Sequence, residues 1–366
     1  MEDKEVKELL KHLISIKSVS GEEEELKKKI KQEVEGEIYE VSGNLIVKLD
    51  NDGDHALHFN AHMDTVSGEN WCQDPLEPVE KEGKIYGLGA SDLKGGIAAL
   101  IALIDDLEEK DLEVDIFIEF VTDEEVDGSG TQEVLKFMEE KGMLSDYKNQ
   151  SCVLTEPTGL EKVEIGCKGC VFAEITTYGE SVHGSRPEKG ENPVLKMKQV
   201  IDIMKKLKED FKQFGNEELG SPTIAVGTTI NASGSVNSVP SSCMMTCDIR
   251  TTPDIHSKVM DKIEKTLPKN VEICPKSEPT PPSYTKPGED IINSVKNVFD
   301  ADIDTAEGAD DSPFYEGKEI TTAVIGPGEK DCIHSPGEFI EVDKLLKSVE
   351  LYAELAEKWS KTQSEL

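Results

Sequence analysis

Ala56-Leu57-His58-Phe59-Asn60-Ala61-His62-Met63-Asp64 is the stretch on which the reading of the chain turns, because a short apolar run, Ala56 to Asn60, gives way at once to two chemically active side chains. The run has the length of a buried strand and no helical periodicity. His62 and Asp64 have the same parity, so an extended backbone directs both to one side. A nearby carboxylate can fix the tautomer of a metal-ligating histidine and raise its basicity. Taken alone, the pair is weak evidence, and a satisfied surface contact is the better account of it.

The same texture recurs outward from that stretch. Apolar runs at Leu45-Ile46-Val47, Ile116 to Val121 and Cys152-Val153-Leu154 predict strands, whereas Ile97, Leu100, Ile101 and Ile104 recur at helical spacing. Ser20 followed by Glu23 predicts a capping box that opens a helix through about Val34. Strands and helices that alternate over residues 1–150 predict an α/β sheet flanked by helices on both faces. From about Gly169 the order changes to a strand (Val171 to Tyr178), a long basic helix (Pro193 to Phe211), two strands and a helix near Ile255 to Leu267. That order predicts a small α+β sheet with its helices on one face. Pro275 to Pro287 reads as a return linker, after which a helix (Glu289 to Phe299), a strand (Thr321 to Ile325) and a final helix (Val342 to Trp359) resume the first pattern. The expected domains are residues 1–168 joined to 284–366, with 169–283 inserted between them.

Bulk properties exclude several classes of function. The chain has 366 residues and a formal net charge of -35, which repels phosphate backbones and anionic lipid and so argues against nucleic-acid and membrane partners. No apolar run approaches the roughly 18 residues that a membrane helix needs. The charged start, Met1-Glu2-Asp3-Lys4-Glu5, lacks the apolar core of a secretory signal. Eight scattered cysteines, with Cys167-x-x-Cys170 unmatched by a second pair at zinc-finger spacing, fit reduced thiols better than a disulfide framework. A cytoplasmic protein is expected.

Candidate ligands cluster where the predicted strands end. Asp92 lies in the glycine-rich segment Gly87 to Gly96, which lacks the order of a phosphate loop and whose aspartate would repel an anion; a carboxylate that bridges two cations suits it better. Glu124 and Glu125 follow Ile116 to Val121, and adjacent residues point apart, so that one can ligate a cation while the other acts as a base. An ordinary acidic loop is the competing account. Glu156 ends the next strand and His334 follows Gly326-Pro327-Gly328. Open α/β sheets place their sites at the carboxyl ends of strands.

With those residues in view, the chain resembles the M20 metallopeptidase family, the group that includes acetylornithine deacetylase, succinyl-diaminopimelate desuccinylase, aminoacylase and glutamate carboxypeptidase. The resemblance is carried by His62-Met63-Asp64-Thr65-Val66, Gly89 to Gly96, Asp123-Glu124-Glu125, Glu156-Pro157-Thr158, His183-Gly184-Ser185-Arg186-Pro187, Asp248-Ile249-Arg250, and Gly326-Pro327-Gly328 leading to His334. It implies a zinc-exopeptidase-like mixed sheet and a ferredoxin-like inserted lid through which the chain would form a homodimer. It also implies two divalent ions, zinc before cobalt: one on His62 and Glu156, the other on Glu125 and His334, with Asp92 shared. Asp64 would orient His62, and Glu124 would activate water and later protonate the leaving amine. By the same resemblance His183 would stabilise the oxyanion and could do so in the site of a partner subunit, and closure of the lid would bring it and Arg250 onto the substrate.

Composition adds to the part given to Arg250. Of forty basic residues only Arg186 and Arg250 are arginine, and lysine cannot copy the planar fork that grips a carboxylate. Arg250 is the expected carboxylate anchor; Arg186 either touches substrate or secures its loop, and Asn237 is either a substrate contact or a turn residue. The expected activity is hydrolysis of an amide in an N-acyl amino acid, with acetylornithine or succinyl-diaminopimelate as leading substrates. A dipeptidase or carboxypeptidase of the same family is the alternative. A catalytically silent ligand-binding relative would have lost a ligand or the base, and none is missing.

Overall fold

The computed structural model describes residues 1–108, 110, 112–145 and 147–364. The chain packs as two compact units, one of Met1–Gly166 with Tyr284–Thr305 and Asp310–Leu366, the other of Cys167–Ser283 with Ala306–Ala309. The first boundary thus falls two residues before the 169 drawn from sequence, and a short segment of the returning chain groups with the small unit.

The larger unit begins with helices α1 (Asp3–Ile14) and α2 (Glu24–Glu33), then strands β1 (Glu37–Val41), β2 (Asn44–Leu49), β3 (Ala56–His62), β4 (Val79–Lys81) and β5 (Lys84–Tyr86). It continues with α3 (Lys94–Glu108), β6 (Asp115–Val121), α4 (Ser129–Glu140), β7 (Gln150–Pro157) and β8 (Lys162–Cys167). The small unit contributes β9 (Gly169–Tyr178), α5 (Pro193–Asp210), β10 (Thr223–Ala232), β11 (Ser242–Thr251), α6 (Val259–Thr266) and β12 (Val271–Pro275). The chain ends with α7 (Asp290–Phe299), β13 (Asp302–Ala306), α8 (Ser312–Glu316), β14 (Thr321–Gly326), β15 (Phe339–Glu341) and α9 (Val342–Ser364).

The main sheet has the order β1-β2-β6-β3-β7-β14-β8-β13. Its centre, β6, β3, β7 and β14, is parallel, so the carboxyl ends of these four strands share one edge. β1, β2 and β8 pair antiparallel outside that block. Both faces are covered. Leu57, Phe59 and Ala61 of β3 join a core with the apolar residues of α1, α3, α7 and α9, whereas Ala56 packs with Phe117, Val134 and Met138 beside α4. A strand buried on both faces reads as a continuous apolar run rather than an alternating one, which is why Ala56 to Asn60 stands out in the sequence. The helix expected from Ile97, Leu100, Ile101 and Ile104 is apolar all round: residues 97–104 are wholly buried.

Two local expectations are corrected. The Ser20 hydroxyl caps no helix; it donates to Asp64 Oδ2 at 2.8 Å, and Glu23 accepts from the main chain of Gly21 at 2.7 Å. The proline-rich linker begins inside a strand, since Val271–Pro275 pairs antiparallel with β9.

The small unit has the chain order β-α-β-β-α-β and the antiparallel strand order β10-β11-β9-β12, a ferredoxin-like arrangement. Val171, Ala173, Ile175, Cys243, Met245, Cys247 and Ile249 turn one face of this sheet toward Met197, Val200 and Met204 of α5 and Val259 and Ile263 of α6. Phe172 and Arg250, of the opposite parity, lie on the other face.

Candidate metal centre

The shared strand edge gathers five donors. His62 is the last residue of β3, Glu156 lies near the end of β7, Glu125 follows β6, and His334 lies beyond β14. Asp92 enters from the turn before α3, whose first helical turn packs so closely that a Cβ on Gly95 would stand 2.6 Å from the Ala90 carbonyl. Close packing, rather than a phosphate cradle, is what the glycines of this segment serve.

Asp92 divides its carboxylate between two imidazoles. Its Oδ1 lies 3.0 Å from His62 Nε2 and its Oδ2 lies 3.1 Å from His334 Nε2. Glu156 Oε1 stands 3.7 Å from the same His62 nitrogen, and Glu125 Oε1 stands 2.8 Å from that of His334. His62, Asp92 and Glu125 offer donor atoms that all lie within 4.8 Å of one another. Two ligand atoms of one tetrahedral ion with bonds of about 2.1 Å are roughly 3.4 Å apart, so these edges fit donors gathered around cations. Each half holds one imidazole, one glutamate and one oxygen of Asp92.

The electrostatics point the same way. His62 Nδ1 lies 2.9 Å from the Asp64 carbonyl, which it meets as a donor, so its Nε2 presents a lone pair to Asp92. Two acceptors 3.0 Å apart need a cation or a proton between them. Burial would lower the His62 pKa, yet Glu156, Asp64 and Asp92 hold it well above the ordinary imidazole range. Hydrogen bonds to Asp92 and Glu125 raise His334 to about 10. Burial also pushes Glu124 and Glu156 well above the usual carboxylate range. Imidazoles that retain protons and acids that resist ionising are the marks of a cluster short of positive charge, which divalent cations would supply.

The surrounding chain holds these donors in place. The Asp64 carboxylate, fully buried, accepts the main-chain N–H groups of Glu124 (3.2 Å) and Glu125 (3.1 Å) as well as the Ser20 hydroxyl. Asn44 accepts both N–H and O–H of Thr122 at the base of that loop, at 2.8 and 3.2 Å. Asp123 and His334 take positive φ, 60° and 55°, a costly conformation for residues with a Cβ and one that concentrates at functional sites. Sequence reasoning missed Ser20, Asn44 and Glu338, which accepts main-chain hydrogen bonds from the Asp92 segment. None carries a local signal, because each acts on residues at least 44 positions away.

In the small unit the structure brings His183, Arg186 and Asn237 into one loop pair. Gly184 N–H donates to the Asn237 carbonyl at 2.7 Å, and His183 bridges to Ser238. All three side chains are exposed, and Asn237 Oδ1 accepts from Ser235 at 2.7 Å. Arg250 is elsewhere on the sheet. In the register of β9 with β11, Arg250 faces Cys170 and Ser242 faces Tyr178, so the end that leads to His183 lies eight positions from Arg250. At about 3.3 Å per residue that is roughly 26 Å. Arg250 directs Nε and Nη2 at Asp248, 2.8 and 3.2 Å away.

A sequence profile described as peptidase family M20/M25/M40 matches residues 58–358. The chain belongs to this family. It is 30% identical to a succinyl-diaminopimelate desuccinylase of Nautilia profundicola, over 96% of this chain and 99% of the relative. It is 28% identical to an acetylornithine deacetylase of Aliivibrio salmonicida, over 85% and 83%. Among solved structures, an aminopeptidase of Bacillus cereus superposes with a TM-score of 0.78 at 18% identity, covering 98% and 99% of the two chains. A dinuclear metal-binding M20 peptidase of Bacillus subtilis does so at 0.73 and 16%, covering 97% of each. This M20 chain is a hydrolase of amide bonds with a candidate metal site in its larger unit. No helix among its described residues is long and apolar enough to cross a membrane.

Proposed function

We propose that the protein removes the acyl group from an N-acyl amino acid in a site that binds two divalent cations, zinc in the first instance and cobalt as a substitute, with acetylornithine and succinyl-diaminopimelate as the leading substrates. The observation that carries this reading is the division of Asp92, one oxygen toward each imidazole and one further glutamate on each side. His62 and Glu156 would hold one ion, Glu125 and His334 the other, and Asp92 both. Bound there, the ions supply Lewis-acid polarisation of the scissile carbonyl and acidify the attacking water. Glu124 would take a proton from the attacking water and return it to the leaving amine. A carboxyl whose affinity for protons is raised by burial is suited to both transfers. The deacylase reading draws its support from the names of relatives that match the chain over most of its length.

Arg250 is assigned to the substrate carboxylate and His183 to the oxyanion, with Asn237 and Arg186 as lesser contacts. The separation of Arg250 from the His183 end of the small sheet favours a second copy as the source of His183, because a small amide cannot span roughly 26 Å. A homodimer follows from that assignment. We place it in a reducing cytosol, on the thiols of Cys152, Cys243 and Cys247, which are buried without disulfide partners.

A panel of acetylornithine, succinyl-diaminopimelate, acetyl-lysine and simple dipeptides, assayed with zinc or cobalt, separates the deacylase from the dipeptidase reading. Glu124→Ala should keep its metal and lose turnover by orders of magnitude; retention of most activity would remove the assigned base. Mixing inactive His183→Ala with inactive Glu124→Ala tests the dimer. Mixed dimers would contain one complete site and restore about a quarter of wild-type activity, whereas no recovery would place His183 in its own subunit's site or outside catalysis.

A further inference from the structure

Glu338, four residues beyond His334, is 1% exposed and is used by no step described above. Its carboxylate accepts three main-chain N–H groups from one turn, those of Ser91 (2.9 Å) and Asp92 (3.0 Å) on Oε1 and that of Gly89 (3.2 Å) on Oε2. The lacing runs in the other direction too. The Ser91 hydroxyl donates to the Phe339 carbonyl at 2.6 Å and accepts from the Glu329 N–H at 2.8 Å. The segment that carries His334 and the turn that carries Asp92 are thereby tied together on both sides of His334. Lys94, also 1% exposed, donates from Nζ to the Ile16 carbonyl at 2.7 Å.

An apolar side chain at 338 would leave three amide donors buried without acceptors, and each such donor is costly. A glutamine would satisfy only part of the set, since its NH2 would have to face an N–H that now meets oxygen. Among the described residues, every hydrogen-bond partner of the carboxylate lies within three residues of Asp92, the ligand assigned to both cations. We propose that Glu338 is a positioning residue for the cation pair: it sets the Asp92 turn so that one carboxylate oxygen faces each imidazole, and it fixes that turn against the segment bearing His334. The assignment rests on the two-cation reading of the site.

The test compares wild type and Glu338→Gln, both stripped of metal, checked for fold by circular dichroism and titrated with zinc against a chromophoric chelator. The expected result is a variant that keeps its fold while its weaker zinc site loses about 10- to 100-fold in affinity, the range found when a ligand's supporting hydrogen bonds are removed. A purely structural role would lower the melting temperature of the metal-free protein and leave zinc affinity alone. A second measurement needs no variant. In metal-free wild type the amides of Gly89, Ser91 and Asp92 should exchange with solvent slowly, since Glu338 holds them before any ion arrives. Unchanged zinc uptake by the variant, or fast exchange of those amides in wild type, overturns the proposal alone. A wild-type chain that takes up no zinc overturns the two-cation reading and this assignment with it.

Discussion

Substituting Asp64 by asparagine separates two jobs that this carboxylate could do. His62 Nδ1 meets the Asp64 carbonyl at 2.9 Å and the carboxylate at 3.5 Å, so the nearer contact to the ring is the main chain's. The carboxylate is committed instead to the loop of Glu124 and Glu125, with Oδ1 on one amide and Oδ2 on the next. Asparagine offers one oxygen. Either orientation of its amide opposes NH2 to one of those two N–H groups and leaves a buried donor unmatched, a loss of about 1–3 kcal/mol. At about 1.4 kcal/mol per tenfold, the correctly set loop falls by roughly 5- to 150-fold in population, and kcat falls with it. The assay is kcat on the best substrate of the panel, measured under saturating zinc beside the zinc content of the purified variant. Zinc content should stay near wild type while kcat drops. A variant of wild-type kcat, or one that regains full kcat once zinc is saturating, would show that the carboxylate serves the metal ligand and not the base-bearing loop.

Two further substitutions probe the packing and the charge of the larger unit. Gly130, at the start of α4, lies so close to the preceding loop that an added Cβ would stand 2.1 Å from the Thr122 carbonyl; Gly130→Ala should destabilise the protein by about 1–3 kcal/mol in urea unfolding and displace Glu124, and a variant of unchanged midpoint and activity would contradict the packing. Asp115 is buried, and although burial raises its pKa, hydrogen bonds from Tyr147 and Asn51 and the charge of Lys48 bring it below the ordinary 3.8. Its folded form therefore releases its proton more readily than the unfolded chain does. The stability it contributes is present above about pH 4 and disappears as pH falls through its folded value. Asp115→Asn should flatten the acid limb of a stability-against-pH curve below about pH 4, and an acid limb as steep as wild type would refute the assignment.

The sequence by itself determined the elements that are apolar on their own account. β3, β6 and β7 announce themselves as runs because both of their faces are buried, and α5 and α9 are long enough for their periodicity to show. The five candidate donors and the proposed base are legible for a related reason: chemistry demands particular side chains immediately after particular strands, and that demand is written locally. Strands such as β1, β4 and β13 are short, mixed in polarity and exposed or partly exposed, and exist only because a neighbour offers its edge.

Only tertiary structure decided what each donor is held by and how Asp92 is shared. Ser20, Asn44 and Glu338 act through hydrogen bonds to main-chain or side-chain atoms 44 to 249 positions away, and Ser20 mimics a helix cap at short range. The register of β9 with β11 likewise separates Arg250 from the end of the sheet that leads to His183, although both sit in motifs of one inserted unit. The physical reason is common to these cases. Local patterns record which face of an element is buried, whereas long-range hydrogen bonds and strand register depend on where distant segments come to lie, and no periodicity encodes that.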